Sequence, residues 1–412
     1  MIIGFDASRA FVPQRTGTEN YSFELLKSLA GLDKKNQYLV YTRKNIFPFK
    51  IKSDWPSNYI FKEIPLTRLW TQLGLAFQTW VDKLDLLFVP AHTLPIFRKP
   101  FLPTLVTIHD LGYEFLPQYH NFPQKIYLNW STVYAVKQAS QIIAVSEATK
   151  KDLINKLGCQ PAKIEVIYEG VDQYKWTASF SPEQTAKILK KYYLKIEAPR
   201  AEARGIFRPK SFNPSVAEIT SHSSMVLKNH GILRRRNKYL LSVGTIQPRK
   251  NYYRLIQAFA KIENSGLDLV IVGKKGWMWK DILALPQKLG IEKKVKFLEY
   301  VPDAELPILY QNALCLITPS LYEGFGLPVL EAMAAHCPVI VSNTSSLPEI
   351  VADAGILIDP YNINSIIDGM NSVIKNPITR ENLIVKGIDR IKHFSWELTA
   401  RKTLAIFEKI SQ

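Results

Sequence analysis

The stretch Ser320–Ala334, SLYEGFGLPVLEAMA, predicts a glycine-containing loop that leads directly into a helix. The apolar run Ala313–Thr318 precedes it and is typical of a buried strand, which a proline ends. Gly324 and Gly326 allow backbone conformations and close approaches that other residues resist. Pro328 has the fixed φ that suits the first turn of a helix. Because a helix N-terminus presents unpaired N–H groups, this stretch predicts an anion-binding loop.

Two carboxylates flank the predicted anion site. Glu323 and Glu331 have seven residues between them, with the glycine loop at the centre. A loop that binds an anion through its backbone beside carboxylates suits a ligand that has both phosphates and hydroxyls. A nucleotide sugar is such a ligand.

Strands and amphipathic helices alternate through both halves of the chain. We predict strands at Ile2–Ala7, Tyr38–Thr42, Ile60–Ile64, Leu84–Pro90, Thr104–Ile108, Ile142–Val145, Ile164–Tyr168, Tyr239–Val243, Leu269–Val272, Val295–Leu298, Leu314–Thr318, Val339–Ser342 and Ile356–Ile358. Such alternation favours parallel sheets covered by helices on both faces. The predicted fold class is α/β, with two doubly wound, Rossmann-like domains.

The chain length also favours two domains, because 412 residues exceed one ordinary core. We predict an N-terminal domain over 1–176 and a C-terminal domain over 177–395, followed by an amphipathic helix over 396–412. The strand–helix pattern breaks at 199–236, which we interpret as a basic insertion. Contact with lipid or acceptor phosphate and a merely solvated excursion both stay open for this insertion. A capping box is predicted where Ser346 and Glu349 flank a proline.

Ligands of parallel sheets bind at the carboxyl ends of strands, which draws attention to three positions in the first half. Gly17 precedes a helix, and both a turn glycine and a phosphate-facing loop stay open. His109 follows a predicted strand, where a core histidine and a ligand-facing one are both possible. Ser146 is predicted to be a helix N-cap, with Glu147 in the first turn.

A basic pair marks the corresponding position in the second half. Arg249 and Lys250 lie between the strand Tyr239–Val243 and the next helix. A lysine ammonium and the planar fork of arginine both suit phosphate oxygens, so we predict pyrophosphate ligands here. Neither a GxGxxG nor a GxxxxGK[ST] motif is present, which argues against a dinucleotide fingerprint and a P-loop. Since no DxD pair or zinc spacing appears either, we expect no metal and no cofactor.

The net charge of +17 favours an anionic partner such as a membrane surface, although a generally solvated basic surface remains an alternative. The three cysteines are far apart in the sequence and fit a reducing compartment. The chain starts with a strand pattern, and no apolar run has membrane-spanning length. We therefore expect a cytoplasmic protein. The segment Leu66–Trp80 is interpreted either as a helix that buries its apolar face or as an interfacial helix on a membrane.

Several motifs together resemble the glycosyltransferases of family 4, whose second domain is called glycosyl transferases group 1. The decisive one is the 320–334 stretch, and supporting ones are VGTIQPRKN at 243–251, TIHDL at 107–111, IIAVSEATKKDL at 142–153 and TGTENYSFELL at 16–26. The resemblance implies the GT-B fold, with two Rossmann-like domains facing across a cleft and the last helix returning to the first domain. It implies a metal-independent, retaining glycosyltransferase. The motifs look most like bacterial mannosyltransferases of O-antigen or exopolysaccharide synthesis.

The resemblance also implies roles for individual residues. Glu323 is implicated at the donor sugar with His109 beside it, and Glu331 at the ribose hydroxyls. Donor binding is further implied for Gly17, Arg249, Lys250, Gly324, Phe325, Gly326 and Leu327. Many relatives have an arginine where this chain has Thr245, so phosphate binding here is expected to depend more strongly on the basic pair.

The implied function is transfer of a hexose, with mannose from GDP-mannose as the first choice, to a glycan or polyprenyl-linked acceptor. The alternatives are a UDP-sugar-dependent transferase that uses glucose or N-acetylglucosamine, and a non-catalytic sugar- or membrane-binding protein of the same fold. The expected location is the cytoplasm, where a free protein and one bound peripherally to the inner face of the membrane both stay open, and no nucleic acid is expected as a partner.

Overall fold

The computed structural model describes residues 1–44, 55–112, 122–194, 239–262 and 266–411. They form two compact units. Unit 1 comprises Met1–Gly170, Glu323–Leu327 and Phe394–Gln412, and unit 2 comprises Val171–Tyr322 and Pro328–His393. The predicted insertion at 199–236 lies outside the described residues.

Unit 1 contains a seven-stranded, wholly parallel sheet in the order β3-β2-β1-β4-β5-β6-β7. Its strands are β1 Ile2–Asp6, β2 Gln37–Arg43, β3 Tyr59–Ile64, β4 Leu86–Val89, β5 Thr104–Ile108, β6 Gln141–Ala144 and β7 Ile164–Val166. The central strands β4 and β5 are buried along their whole length, as near-continuous apolar runs in a sheet covered on both faces should be. Its helical segments are Gly17–Leu32, Trp70–Leu75 (a π-helix), Ala76–Val81, Phe122–Gln138, Glu147–Leu157 and Trp396–Ser411.

Unit 2 contains a six-stranded parallel sheet in the order β10-β9-β8-β11-β12-β13. Its strands are β8 Tyr239–Val243, β9 Asp268–Val272, β10 Val295–Leu298, β11 Leu316–Thr318, β12 Val339–Ser342 and β13 Gly355–Ile358. Its α-helices are Gln173–Trp176, Pro182–Lys191, Tyr252–Ala260, Lys280–Lys288, Leu306–Asn312, Leu327–Ala334 (begun by a residue of unit 1), Leu347–Val351, Ile363–Ile374 and Pro377–Arg390. Because β8 and β11 are neighbours in the sheet, the loops that follow them start side by side.

The predicted α/β class is confirmed, and each predicted strand is present with ends shifted by at most two residues. Ser146 is the N-cap of the helix Glu147–Leu157 as predicted, since its Oγ accepts the Thr149 N–H at 3.0 Å. The capping box predicted at Ser346 is wrong. Ser346 has helical backbone angles, with φ of −78° and ψ of −17°, and its side chain does not cap the five-residue helix Leu347–Val351.

The last helix belongs to unit 1, where it packs against the first helix, Gly17–Leu32. The buried ring of Phe407 lies edge-on to Phe88 of β4, with 5.5 Å between centroids. The Thr399 hydroxyl donates to the Tyr168 carbonyl at 2.8 Å. Within the described residues, no helix is both long enough and apolar enough to cross a membrane.

Candidate functional site

In unit 2 the predicted basic pair lies in a short 3-10 turn, Pro248–Lys250, between β8 and the next helix. Gly244 begins the connection with φ of +151°, a conformation that side chains disfavour. A Cβ at this position would lie 2.9 Å from Lys250 Cε, so the lysine side chain passes directly over the glycine. Asn251 ends the turn in the left-handed region with φ of +58°. The β8 end thus places the Lys250 side chain over the backbone of Gly244.

Arg249 joins this strand end to the loop after β11. Its guanidinium donates to the Tyr322 carbonyl at 2.7 Å, and its own carbonyl accepts the Leu321 N–H at 2.9 Å. Asn251 adds a third link, since its side-chain amide donates to the Pro319 carbonyl at 3.0 Å. The predicted pyrophosphate ligand Arg249 therefore also fixes the backbone that leads into Glu323, a role that the sequence did not reveal.

Glu331 lies on the helix Leu327–Ala334, and a neighbouring tyrosine holds it. The Tyr310 hydroxyl donates to Glu331 Oε2 at 2.9 Å, while Oε1 has no hydrogen-bond partner among the described residues. Burial raises the pKa of the Glu331 carboxyl to about 7, against the opposing effects of the positive charge of Lys175 and the Tyr310 hydrogen bond. A ligand hydroxyl at Oε1 would meet a group that ionises near neutral pH.

Two polar atoms at this edge of unit 2 are buried and have no hydrogen-bond partner within the part of the chain that the structure describes. They are Gln247 Oε1, beside the basic pair, and Thr318 Oγ1, at the end of β11. Buried polar atoms are normally hydrogen-bonded, so such orphans are compatible with a ligand or ordered water at the strand ends.

The segment 323–327 belongs to unit 1, where the helix Glu147–Leu157 anchors it. The carbonyl of Gly324 accepts from Ser146 Oγ at 2.7 Å and from Thr149 Oγ1 at 3.3 Å. A Cβ on Gly324 would lie only 1.8 Å from the His109 carbonyl oxygen, so the position requires glycine. Ser146 is thus more than an N-cap, because it also holds the glycine loop.

Three other members of this segment, Glu323, Phe325 and Leu327, are also buried. Glu323 is only 7% exposed. The Phe325 ring lies 6.0 Å from Tyr168 and 6.1 Å from Phe394, measured between centroids. The aromatic contacts hold Phe325 beside Tyr168 and Phe394.

His109 is buried after β5 with both ring nitrogens occupied. Its Nδ1 lies 3.1 Å from Glu169 Oε1, and its Nε2 lies 3.1 Å from the Pro90 carbonyl oxygen. A carbonyl and a carboxylate are both hydrogen-bond acceptors, so each ring nitrogen of His109 faces an acceptor. The two contacts fix the orientation of the imidazole ring.

A second histidine supports this arrangement. The His92 ring stacks on His109 at 5.6 Å, and its Nε2 accepts the backbone N–H of His109 at 3.2 Å. Burial and the neighbouring His109 lower the pKa of His92 to about 3. His92 is consequently neutral, as its role as a hydrogen-bond acceptor requires.

Gly17 is the first residue of the helix Gly17–Leu32, and Thr16 before it donates its N–H to Glu19 at 3.1 Å. A Cβ at Gly17 would meet nothing within 4 Å. Packing therefore does not require glycine here, and the helix start is open to a ligand. Its role at a phosphate remains a prediction.

Sequence reasoning missed Glu169, Tyr310 and the second function of Ser146. Glu169 follows the strand β7, so the rule that ligands meet strand ends would have included it. Tyr310 gave no comparable signal, because its contact with Glu331 spans two helices.

Two protein-family models match the chain. Residues 15–174 match the family model described as Glycosyltransferase Family 4, and residues 228–390 match that described as Glycosyl transferases group 1. Together the matches cover most of the chain. The chain belongs to this family of glycosyltransferases.

Curated relatives include bacterial enzymes of O-antigen synthesis. The chain is 28% identical to the O-antigen chain mannosyltransferase B of Escherichia coli, over 74% of this chain and 70% of that protein. It is 26% identical to the O-antigen chain mannosyltransferase RfbU of Salmonella typhimurium, over 69% of this chain and 62% of that one. A D-inositol 3-phosphate glycosyltransferase of Kribbella flavida is also 26% identical, over 67% of this chain and 58% of that protein. The chain thus spans less than two thirds of the latter two.

Solved structures share the fold along the whole chain. Sucrose-phosphate synthase from Thermosynechococcus elongatus superimposes with a TM-score of 0.71 at 19% identity, covering 100% of this chain and 99% of that one. Anabaena HepE in complex with UDP and glucose superimposes with a TM-score of 0.66 at 18% identity, covering 99% of this chain and 100% of that one. At these identities the likeness shows the fold alone, which is GT-B.

Proposed function

We propose that the protein transfers a hexose from a nucleoside-diphosphate sugar to a hydroxyl of a glycan or polyprenyl-linked acceptor in cell-surface polysaccharide synthesis. The observation that supports this most is the strand-end cluster of unit 2, in which Arg249 and Lys250 follow β8 beside the loop after β11. Mannose from GDP-mannose is the preferred donor because two of the relatives are O-antigen mannosyltransferases.

The cluster suits the diphosphate half of such a donor. The ammonium of Lys250 would bind diphosphate oxygens, and Arg249 would add charge while it holds the Tyr322 carbonyl. Both cations would stabilise the negative charge that grows on the diphosphate as the sugar departs. Glu331 would accept from the ribose hydroxyls through its unoccupied oxygen.

We assign the reaction to the retaining, metal-independent class. In the proposed step the acceptor oxygen attacks the anomeric carbon on the face that the diphosphate leaves, and a leaving phosphate oxygen takes the acceptor's proton. The bond from the anomeric carbon to phosphate breaks as the new glycosidic bond forms. Glu323 would position the donor sugar and stabilise its developing charge, rather than form a covalent intermediate.

A UDP-sugar is the second candidate donor. It is favoured by the likeness to Anabaena HepE, whose structure was also solved in complex with UDP-glucose.

A panel of nucleotide sugars tests the proposal. GDP-mannose, UDP-glucose and UDP-N-acetylglucosamine are each tested for thermal stabilisation of the protein and for donor hydrolysis, with and without a chelator. A ligand at 100 times its Kd should stabilise the protein by about 2.7 kcal/mol. Stabilisation and turnover by GDP-mannose that survive the chelator are expected. Turnover lost with the chelator contradicts the metal-independent class, and binding without turnover of any donor supports a non-catalytic protein.

Two substitutions separate binding from chemistry in that panel. Lys250→Ala should weaken nucleoside-diphosphate binding by about 10- to 100-fold, because it removes a charge-assisted hydrogen bond. Glu323→Gln should retain that affinity and lose most of the turnover. Unchanged affinity in the first variant, or unchanged turnover in the second, would show that the assigned role is wrong.

A further inference from the structure

One face of unit 1 exposes a row of large apolar side chains. Over the helical segment 70–81 and the residue before it, Leu69, Leu73, Phe77 and Trp80 recur at helical spacing, and each is between 54% and 63% exposed. The opposite face of the same segment is buried. A surface helix normally shows polar residues to water. This segment instead has large apolar side chains on its exposed face as well as on its buried face.

A second segment extends the row. Phe97 is 74% exposed and Phe101 is fully exposed. The Trp80 indole N–H donates to the Phe97 carbonyl at 2.8 Å, and the backbone N–H of Lys99 donates to Thr79 Oγ1 at 2.9 Å. These bonds join both segments into one surface. We call it the apolar face, and its members are Leu69, Leu73, Phe77, Trp80, Phe97 and Phe101.

Phe101 keeps its ring in water although its backbone conformation is unfavourable. Its φ is +61°, in the left-handed region that non-glycine residues seldom occupy. A phenyl ring held in that conformation and placed wholly in water has no evident benefit for the isolated chain. Contiguous exposed patches of this kind mark interaction sites.

The charges around the apolar face are mostly positive. Arg68, Lys83 and Lys99 are exposed beside its members. Of the two acidic residues in the same stretch, Asp82 is buried and accepts from Lys62 and Tyr41. Asp85 is exposed and accepts the N–H of Ile2 at 2.7 Å, so one exposed carboxylate stands against three exposed cations in this stretch.

We propose that the apolar face inserts into the interfacial region of an anionic lipid bilayer. Aromatic and aliphatic side chains ringed by lysine and arginine are the combination that binds such a surface, with the apolar groups in the acyl boundary and the cations at the headgroups. A second copy of the chain is disfavoured as the occupant, because two identical positive rims would repel each other. The inference goes beyond sugar transfer itself, and only its link to a polyprenyl-linked acceptor rests on the proposed function.

Vesicle sedimentation tests the proposal. The protein is mixed with vesicles of phosphatidylethanolamine containing about 30% phosphatidylglycerol, or with vesicles of phosphatidylcholine alone. The wild type should bind the anionic vesicles more tightly, and added salt should weaken that binding. Equal binding to both vesicle types, or none to either, overturns the proposal.

Matched variants locate the surface. Leu73→Ser with Phe77→Ser should weaken anionic-vesicle binding by at least about tenfold, since each side chain loses the transfer of an apolar group from water. The control, Tyr174→Ser with Ile378→Ser, removes exposed apolar side chains of unit 2 and should bind like the wild type. Unchanged binding by the first variant overturns the proposal. So does a wild-type dimer that the first variant converts to a monomer, because the face would then join two copies.

The outcome is separable from that of the donor panel. The Leu73/Phe77 variant should hydrolyse the donor in solution at the wild-type rate, since neither residue belongs to the donor cluster. Failure of every donor would refute the proposed function and leave the vesicle result standing.

Discussion

One carboxyl oxygen of Glu331 accepts a hydrogen bond from Tyr310, and the other has no partner among the described residues. The pKa of the carboxyl is about 7. Burial disfavours the charged form, so the carboxyl holds its proton below pH 7 and ionises above it. If ribose hydroxyls donate to the carboxylate, donor affinity should fall as the pH drops through 7, by about tenfold between pH 7.5 and pH 6. Calorimetric titration with the nucleoside diphosphate across this range measures the effect.

The matched variant for this prediction is Glu331→Gln. Since the diphosphate titrates as well, the informative quantity is the affinity of the wild type divided by that of the variant at each pH. The ratio should rise with pH and level off above about pH 8. A ratio that does not change with pH would exclude ionised Glu331 from donor binding.

Glu169 is the second residue whose charge has a testable consequence. It faces Nδ1 of His109, while the Pro90 carbonyl faces Nε2, and the two contacts orient the ring. His92 is neutral, Tyr21 packs edge-on to the ring, and Asp110 is the next residue in the chain. Glu169→Gln preserves an acceptor but removes the negative charge. The variant should have a lower kcat, because the ring of His109 loses the charged partner that orients it.

The control is Glu165→Gln, in the neighbouring strand β7. Glu165 lies near Lys409 at the surface, with 3.3 Å between charged atoms, and an exposed pair of this kind contributes little. Its kcat should match that of the wild type. An unchanged kcat in the Glu169 variant would show that the charge on Glu169 has no part in the reaction.

At the scale of elements, two helix-associated glycines have opposite surroundings. Gly324 leaves no room for a side chain, since a Cβ would lie 1.8 Å from the His109 carbonyl, whereas a Cβ at Gly17 would meet nothing within 4 Å. Gly324→Ala must displace backbone and should destabilise the protein by about 1–3 kcal/mol. Gly17→Ala should leave the melting temperature unchanged and weaken donor binding if the helix start meets phosphate. Thermal melts of both variants, followed by nucleotide titration, measure these effects.

Each result of the glycine pair has a distinct meaning. A Gly324→Ala protein that melts with the wild type would contradict the close approach to His109. Unaltered donor affinity in Gly17→Ala would show that Gly17 starts the helix but does not bind the donor phosphate.

At the scale of the whole molecule, unit 1 is assembled from chain segments far apart in sequence. Phe407, in the last helix, is fully buried against Phe88. Phe407→Ala should cost about 3–5 kcal/mol of unfolding free energy, the range for truncating a buried aromatic side chain. Leu398→Ala, at a 41% exposed position of the same helix, should cost less than about 1 kcal/mol. Denaturant melts compare the two, and equal losses would contradict the packing of this helix in unit 1.

The strands were predictable because their signal is local. Runs such as Thr104–Ile108 and Val339–Ser342 are apolar throughout, and fully covered parallel strands require that pattern. Ser146 was predictable as an N-cap for the same reason, since its partner Thr149 is three residues away. The capping box at Ser346 failed although its residues fit, because the local backbone there is already helical.

The sequence by itself determined the α/β class, the strands and the glycine loop between two carboxylates, because each depends on residues within a few positions of one another. Only the tertiary structure decided which atoms the site residues contact. Arg249 reaches the Tyr322 carbonyl across 73 residues, His109 reaches Glu169 across 60, and Ser146 reaches Gly324 across 178. Side-chain pairs at such separations leave no periodic pattern in the chain, since their geometry exists only once the sheets have formed.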